Sequence, residues 1–174
     1  YWIRHFFEHV CNFTHGVEFA LVATQNSMAS LIDGKTLHSF GHIPFMKEDG
    51  KRANTNKNNK KGDMNAKFLE YEKLRWILID EASTAGLEDL EYVAAQLRMA
   101  TREAHTWKLR AKDEERLWAG INVGFIGDLW QFEPVRKTPM FANPFSKRSK
   151  SSGIQELHAC FWTRHSNSIS ECYE

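Results

Sequence analysis

Cysteine is scarce: Cys11, Cys160 and Cys172 form an odd set with no CxxC pair. That excludes a disulfide scaffold and leaves no paired thiolates for zinc or redox chemistry. A reduced, intracellular protein is expected. Long apolar runs are also missing. The longest, Phe19 to Ala23 and Trp76 to Ile79, fall far short of the ~20 residues that cross a bilayer, so no membrane partner is expected. Neither sign of charge dominates, with 23 Lys plus Arg against 22 Asp plus Glu. The chain as a whole is therefore neither an acidic disordered tail nor a basic nucleic-acid arm. Any affinity for nucleic acid has to come from local patches. The opening Tyr1-Trp2-Ile3-Arg4-His5 lacks the layout of a secretion signal. Its first residue is not Met, so a piece of a longer protein is expected.

What is present is apolar mass. Of 174 residues, 42% are hydrophobic and 13% aromatic, enough for one core, and the length fits one domain or part of one. Trp2, Phe6, Val10 and Phe13 recur at steps of three and four, which predicts a helix over 2–13 with that face on the core. Val17 to Ala23 then reads as a short buried strand. From Met46 to Asn65 the chain interleaves Lys51, Arg52, Lys57, Lys60 and Lys61 with asparagines. Such a stretch cannot offset its ordering entropy by burial, so residues 47–65 are expected to form a disordered surface insertion. Leu74 to Ile79 predicts a second buried strand, and Ile121 to Ile126 a third. Between them Leu87, Leu90, Val93, Ala94, Leu97 and Ala100 carry helical spacing. Alternating strands and helices predict an α/β fold, a parallel sheet with helices on both faces. Ligands of such sheets bind at the carboxyl ends of the strands.

Two strand ends carry acids. Trp76-Ile77-Leu78-Ile79 runs into Asp80-Glu81, and the next apolar run ends in Gly127-Asp128, with Gln131 three residues on. Nucleotide hydrolysis needs such groups: one carboxylate to hold Mg²⁺ and one to orient or deprotonate the attacking water. A glutamine amide suits a phosphate-reading role, because it donates to an oxygen and accepts from a water at once.

Trp76 to Ser83 and Gly127 to Val135 closely resemble motifs II and III of the Pif-one-like, RecD-related, superfamily-one DNA helicases. Ala23-Thr24-Gln25-Asn26, with Gly34 to Phe40, is similar to the family's motif Ia region. The three occur in the family's order across residues 20–135. The resemblance implies the first RecA-like P-loop NTPase lobe of an ATP-dependent DNA helicase, a motor on single-stranded or forked DNA with roles in DNA repair and recombination. By matching positions it implies Asp80 as the Mg²⁺ carboxylate, Glu81 as the water-activating base and Gln131 as the phosphate sensor. Asp128 joins the nucleotide site, and Thr24, Gln25 and His38 contact the DNA backbone. A nuclear or mitochondrial location follows if the source is eukaryotic.

The sequence also departs from the family. Gln25-Asn26 stands where Thr-Gly is usual, and Phe132-Glu133 where Leu-Pro is usual. No phosphate loop GxxxxGK[ST] occurs, and a second lobe has no room, so the expectation is a lobe truncated at its N-terminal phosphate loop. Two rival readings follow from other features. A catalytically dead single-stranded DNA-binding module would use Trp130 and the Lys51 to Lys61 stretch. The HxxEH pattern at His5, Glu8 and His9 would serve an inverted-motif zinc peptidase. Without a phosphate loop the isolated chain should show negligible ATPase activity. A phosphate-release assay giving turnover above background that disappears in Glu81→Gln would overturn this.

Overall fold

The computed structural model describes residues 2–44, 67, 69–100, 116–128 and 130–140. The insertion expected at 47–65, the basic run at 147–150, Cys160 and Cys172 lie outside the described residues. Four strands form one sheet: β1 (Phe19–Ala23), β2 (Lys35–Thr36), β3 (Trp76–Asp80) and β4 (Asn122–Phe125). All neighbours pair parallel in the order β2-β1-β3-β4. Helix α1 (Trp2–His5) runs into a π-helical turn (Phe6–Val10), α2 (Asn26–Leu31) links β1 to β2, α3 (Leu37–Phe40) follows β2, and α4 (Leu87–Ala100) links β3 to β4.

Continuous apolar runs make β1 and β3 because both faces of these inner strands are covered. Their side chains alternate between two clusters. Val22, Ile77 and Ile79 face Leu37, Phe40 and the buried stripe of α4. Phe19, Leu21 and Leu78 face Phe7, with Ile32 and Trp76 packed beside them. Helical elements therefore cover both faces, as expected. In α4 every apolar residue of the predicted spacing is buried, and Glu88 and Asp89 occupy its first turn, where negative charge suits the helix dipole.

The N-terminal helix differs from the expected one in both length and face. Phe7 is the buried residue, 7% exposed, whereas Trp2, Phe6 and Val10 are 80%, 50% and 65% exposed. The physical reason is the wider π turn, closed by Cys11 N–H donating to the Phe6 carbonyl at 3.1 Å, which breaks the 3.6-residue period. Phe7 stacks on Phe19 at 5.1 Å between ring centroids and meets Trp76 edge-on at 5.4 Å. Strand β1 also starts later than Val17. The Thr14 carbonyl accepts from the amides of Val17 and Glu18, and Gly16 takes a positive φ of 76°. These residues form a turn that ladder pairing cannot use.

This register is testable. Phe7→Ala should cost about 3–5 kcal/mol in urea unfolding, whereas Phe6→Ala should stay within about 1 kcal/mol. Equal losses would mean that the π turn has been assigned to the wrong face.

Candidate functional site at the carboxyl edge of the sheet

Parallel register aligns the strand ends. Ala23 stands level with Thr36 on one side and with Asp80 on the other, and Ile79 is level with Phe125. Past the last paired residues, Ile126 N–H donates to the Ile79 carbonyl and Ala82 N–H donates to the Ile126 carbonyl, each at 2.9 Å. The chain has only Asp80 and Glu81 in which to leave the strand and deliver the Ala82 amide, and Glu81 adopts the left-handed conformation, φ 52° and ψ 38°. A non-glycine residue held there marks stored strain of the kind found at functional sites. Asp80 Oδ1 accepts from Glu81 N–H at 3.0 Å, and a short 3₁₀ turn (Ala82–Thr84) follows. Gly127 lets β4 close on this turn. A Cβ there would lie 3.0 Å from Ala82 N and 3.1 Å from Ser83 N.

Two buried polar atoms on this turn, Glu81 Oε2 and Ser83 Oγ, have no hydrogen-bond partner among the described residues. Buried polar groups are normally satisfied, so an unmet carboxylate oxygen here fits a site completed by a ligand. Adjacent carboxylates are also suitable donors for a hard cation such as Mg²⁺, which is held by one or two carboxylates together with substrate phosphates.

The sequence-derived residues separate into those brought to this turn and those left outside it. Thr24, one residue past β1, places Oγ1 2.6 Å from Thr84 Oγ1, and Thr84 Oγ1 donates to the Glu81 carbonyl at 2.9 Å. Gln25 is exposed at the start of α2. His38 lies in α3 after β2, and β1 stands between β2 and β3, so it shares the edge but not the carboxylate turn. Asp128 is exposed, and its Oδ1 accepts from Trp130 N–H at 2.9 Å while its carbonyl accepts from Gln131 N–H at 3.1 Å. Asp128 thereby holds the turn that presents the exposed Gln131. At His5, Glu8 and His9, Glu8 is paired with Arg4 at 2.9 Å. Among the described residues no group of three His, Cys, Asp or Glu gathers as a metal site, so the zinc reading has no geometric support.

Sequence reasoning missed the clamp on the Gln131 loop. The Thr138 amide and hydroxyl donate to the Glu88 carboxylate at 3.1 and 2.7 Å, Leu87 N–H donates to the Thr138 carbonyl at 2.8 Å, and Lys137 pairs with Asp89. Glu88 and Asp89 fall between the apolar positions that define the helix, and nothing in that spacing points to partners so far along the chain. Ser83 and Thr84 likewise carried no periodic signal.

A parallel sheet covered on both sides, with adjacent carboxylates ending an inner strand and a glycine ending its neighbour, is the layout of a RecA-like nucleotide-binding lobe. The chain belongs to the PIF1-like helicase family, whose profile matches residues 10–159. A Pif1 helicase from Bacteroides, in complex with ADP-AlF3 and ssDNA, is similar at 25% identity and TM-score 0.51, over 76% of this chain and 27% of that one. A structure concerned with unwinding at forked dsDNA by two coordinating Pif1 helicases gives 25% and 0.51, over 76% and 28%. Pif1 helicase from Candida albicans shares the fold at 24% identity and TM-score 0.51, over 80% and 27%. No curated protein sequence matches the chain. Among the described residues no helix is long and apolar enough to cross a membrane.

Strain at Glu81 gives a test. Asn tolerates the left-handed region and removes the carboxylate oxygen buried without a partner, so Glu81→Asn should raise unfolding stability by about 0.5–1 kcal/mol. A loss of stability in denaturant titration would show that Glu81 is not strained.

Proposed function

We propose that this chain carries the nucleotide edge and part of the DNA track of an ATP-dependent DNA helicase. The carrying observation is the Asp80-Glu81 pair at the carboxyl edge, with Glu81 strained and one of its oxygens buried without a partner, in a chain of the PIF1-like helicase family. In this reading Asp80 holds Mg²⁺, directly or through water. Glu81 orients and deprotonates the attacking water. The Gln131 amide reads the terminal phosphate, and the Asp128 turn keeps Gln131 at the edge. Mg²⁺, when bound, supplies charge neutralisation at the phosphates. The protein's own share is positioning and electrostatic stabilisation, as expected of phosphoryl transfer.

Thr24, Gln25 and His38 are assigned to the DNA backbone, single-stranded or at a fork. The 174 residues span about a quarter of the length of the similar structures. The phosphate loop and the second lobe that the reaction requires lie in neither the motifs nor the strands described, so the activity is proposed for the protein that supplies them. Roles in DNA repair and recombination, and a nuclear or mitochondrial setting in a eukaryote, accompany this reading.

In the full-length protein, Asp80→Ala should lower unwinding of forked DNA by roughly a hundredfold or more in a strand-displacement assay. Retained unwinding would contradict the role of that carboxylate. DNA binding with no ATP turnover in the unsubstituted protein would instead favour the catalytically dead binding module.

A further inference from the structure

Proton counting along the Thr24–Thr84–Glu81 chain yields a device that neither motif contains alone. A threonine hydroxyl has one proton to give. The Thr84 hydroxyl lies 2.9 Å from the Glu81 carbonyl and 2.6 Å from the Thr24 hydroxyl, and both contacts are hydrogen bonds only when the Thr84 proton goes to the carbonyl. The 2.6 Å contact between Thr84 Oγ1 and Thr24 Oγ1 must then be made by the Thr24 proton. As the edge stands, Thr24 has no proton left to offer. A phosphodiester oxygen only accepts, so it cannot engage this hydroxyl without changing the chain of donors.

One rearrangement satisfies every oxygen. Thr24 turns its proton to the phosphate, and Thr84 turns its own from the Glu81 carbonyl to Thr24 Oγ1. The hydroxyl–hydroxyl bond persists with its direction reversed, and no heavy atom has to move. Glu81 loses one of two donors to its carbonyl and keeps Thr84 N–H at 3.0 Å. A residue already strained at φ 52° is thereby held less tightly when DNA arrives.

Resting on the helicase reading above, we infer that Thr84 is a positioning residue. Its hydroxyl couples a backbone phosphate at Thr24 to the setting of Glu81, by reversing hydrogen-bond direction. Coupling of this kind is reciprocal: whatever frees the Glu81 carbonyl also frees the Thr24 proton for DNA. Thr84→Val keeps the shape but removes the relay. Thr24 then gives its proton to phosphate with no competitor, while Glu81 no longer senses it.

The test uses the full-length protein, with ATP turnover measured with and without oligothymidylate, and oligothymidylate affinity measured by fluorescence anisotropy. Thr84→Val should lower the ratio of stimulated to unstimulated turnover about three- to tenfold without weakening oligothymidylate binding. Thr84→Ser, which retains the hydroxyl, should keep the ratio within about twofold of the unsubstituted protein. Should Thr84→Val fail to fold, Thr84→Ala carries the same comparison, since Thr84 is only half-buried. An unchanged ratio in the variant lacking the hydroxyl overturns the relay, and so does a serine variant as impaired as valine. An unsubstituted protein whose turnover ignores DNA overturns the helicase reading, and the relay with it.

Discussion

The two hydrogen bonds that carry the β3–β4 ladder past its last paired residues govern the functional edge. Ile126 is held on both sides, its amide on Ile79 and its carbonyl on Ala82. Because the Ala82 amide must reach Ile126, the chain reverses immediately after Asp80, and Glu81 bears the strain. A left-handed conformation costs a non-glycine residue roughly 1–2 kcal/mol. Each hydrogen bond of the turn contributes roughly 0.5–1.5 kcal/mol net, so the two ladder bonds and the Asp80 carboxylate offset that cost.

The precision of the edge comes from what lies behind it. β1 and β3 are inner strands with covered faces, so the residues that follow them leave from fixed points. Thr24 and Glu81 emerge from adjacent strands at the same level, and hydroxyl contact between Thr24 and Thr84 follows from register. The loop bearing Gln131 has no strand of its own among the described residues. It is tied instead to the start of α4 through Glu88, Asp89, Lys137 and Thr138. One helix thus joins the turn after β3 to the loop after β4. Trp130 and Phe132 remain almost fully exposed there, at 96% and 94%.

The inner strands β1 and β3 and the long helix were legible because burial on both faces writes a continuous apolar run and burial on one face writes a 3.6-residue stripe. β4 was found from a shorter run, and the two-residue β2, Lys35–Thr36, carries no such signal. Asp80 and Glu81 were legible because acids directly after such a run can only sit at a sheet edge. The π turn at Phe6–Val10 was not legible, since the spacing of Trp2, Phe6 and Val10 matches a regular helix while backbone geometry buries Phe7. The start of β1 was misread for a similar reason: Val17 is apolar, but its amide is spent in a turn on Thr14. Contacts distant in sequence were invisible as well. Thr24 with Thr84, and Lys137 with Asp89, are side-chain pairs that no local period encodes. His38 belongs to the same edge as the carboxylates, but strand order keeps β1 between them, and strand order is what a single sequence conveys least.

Hydrogen–deuterium exchange on the full-length protein, with and without Mg²⁺ and a nonhydrolysable ATP analogue, bears most directly on the assignment of this edge to nucleotide. Binding should slow exchange in the segments 80–84 and 126–131 at the carboxyl edge, while β2 changes little. Tight binding of the analogue that leaves both segments as fast as in the free protein would place the nucleotide elsewhere and remove the basis for the roles given to Asp80, Glu81 and Gln131.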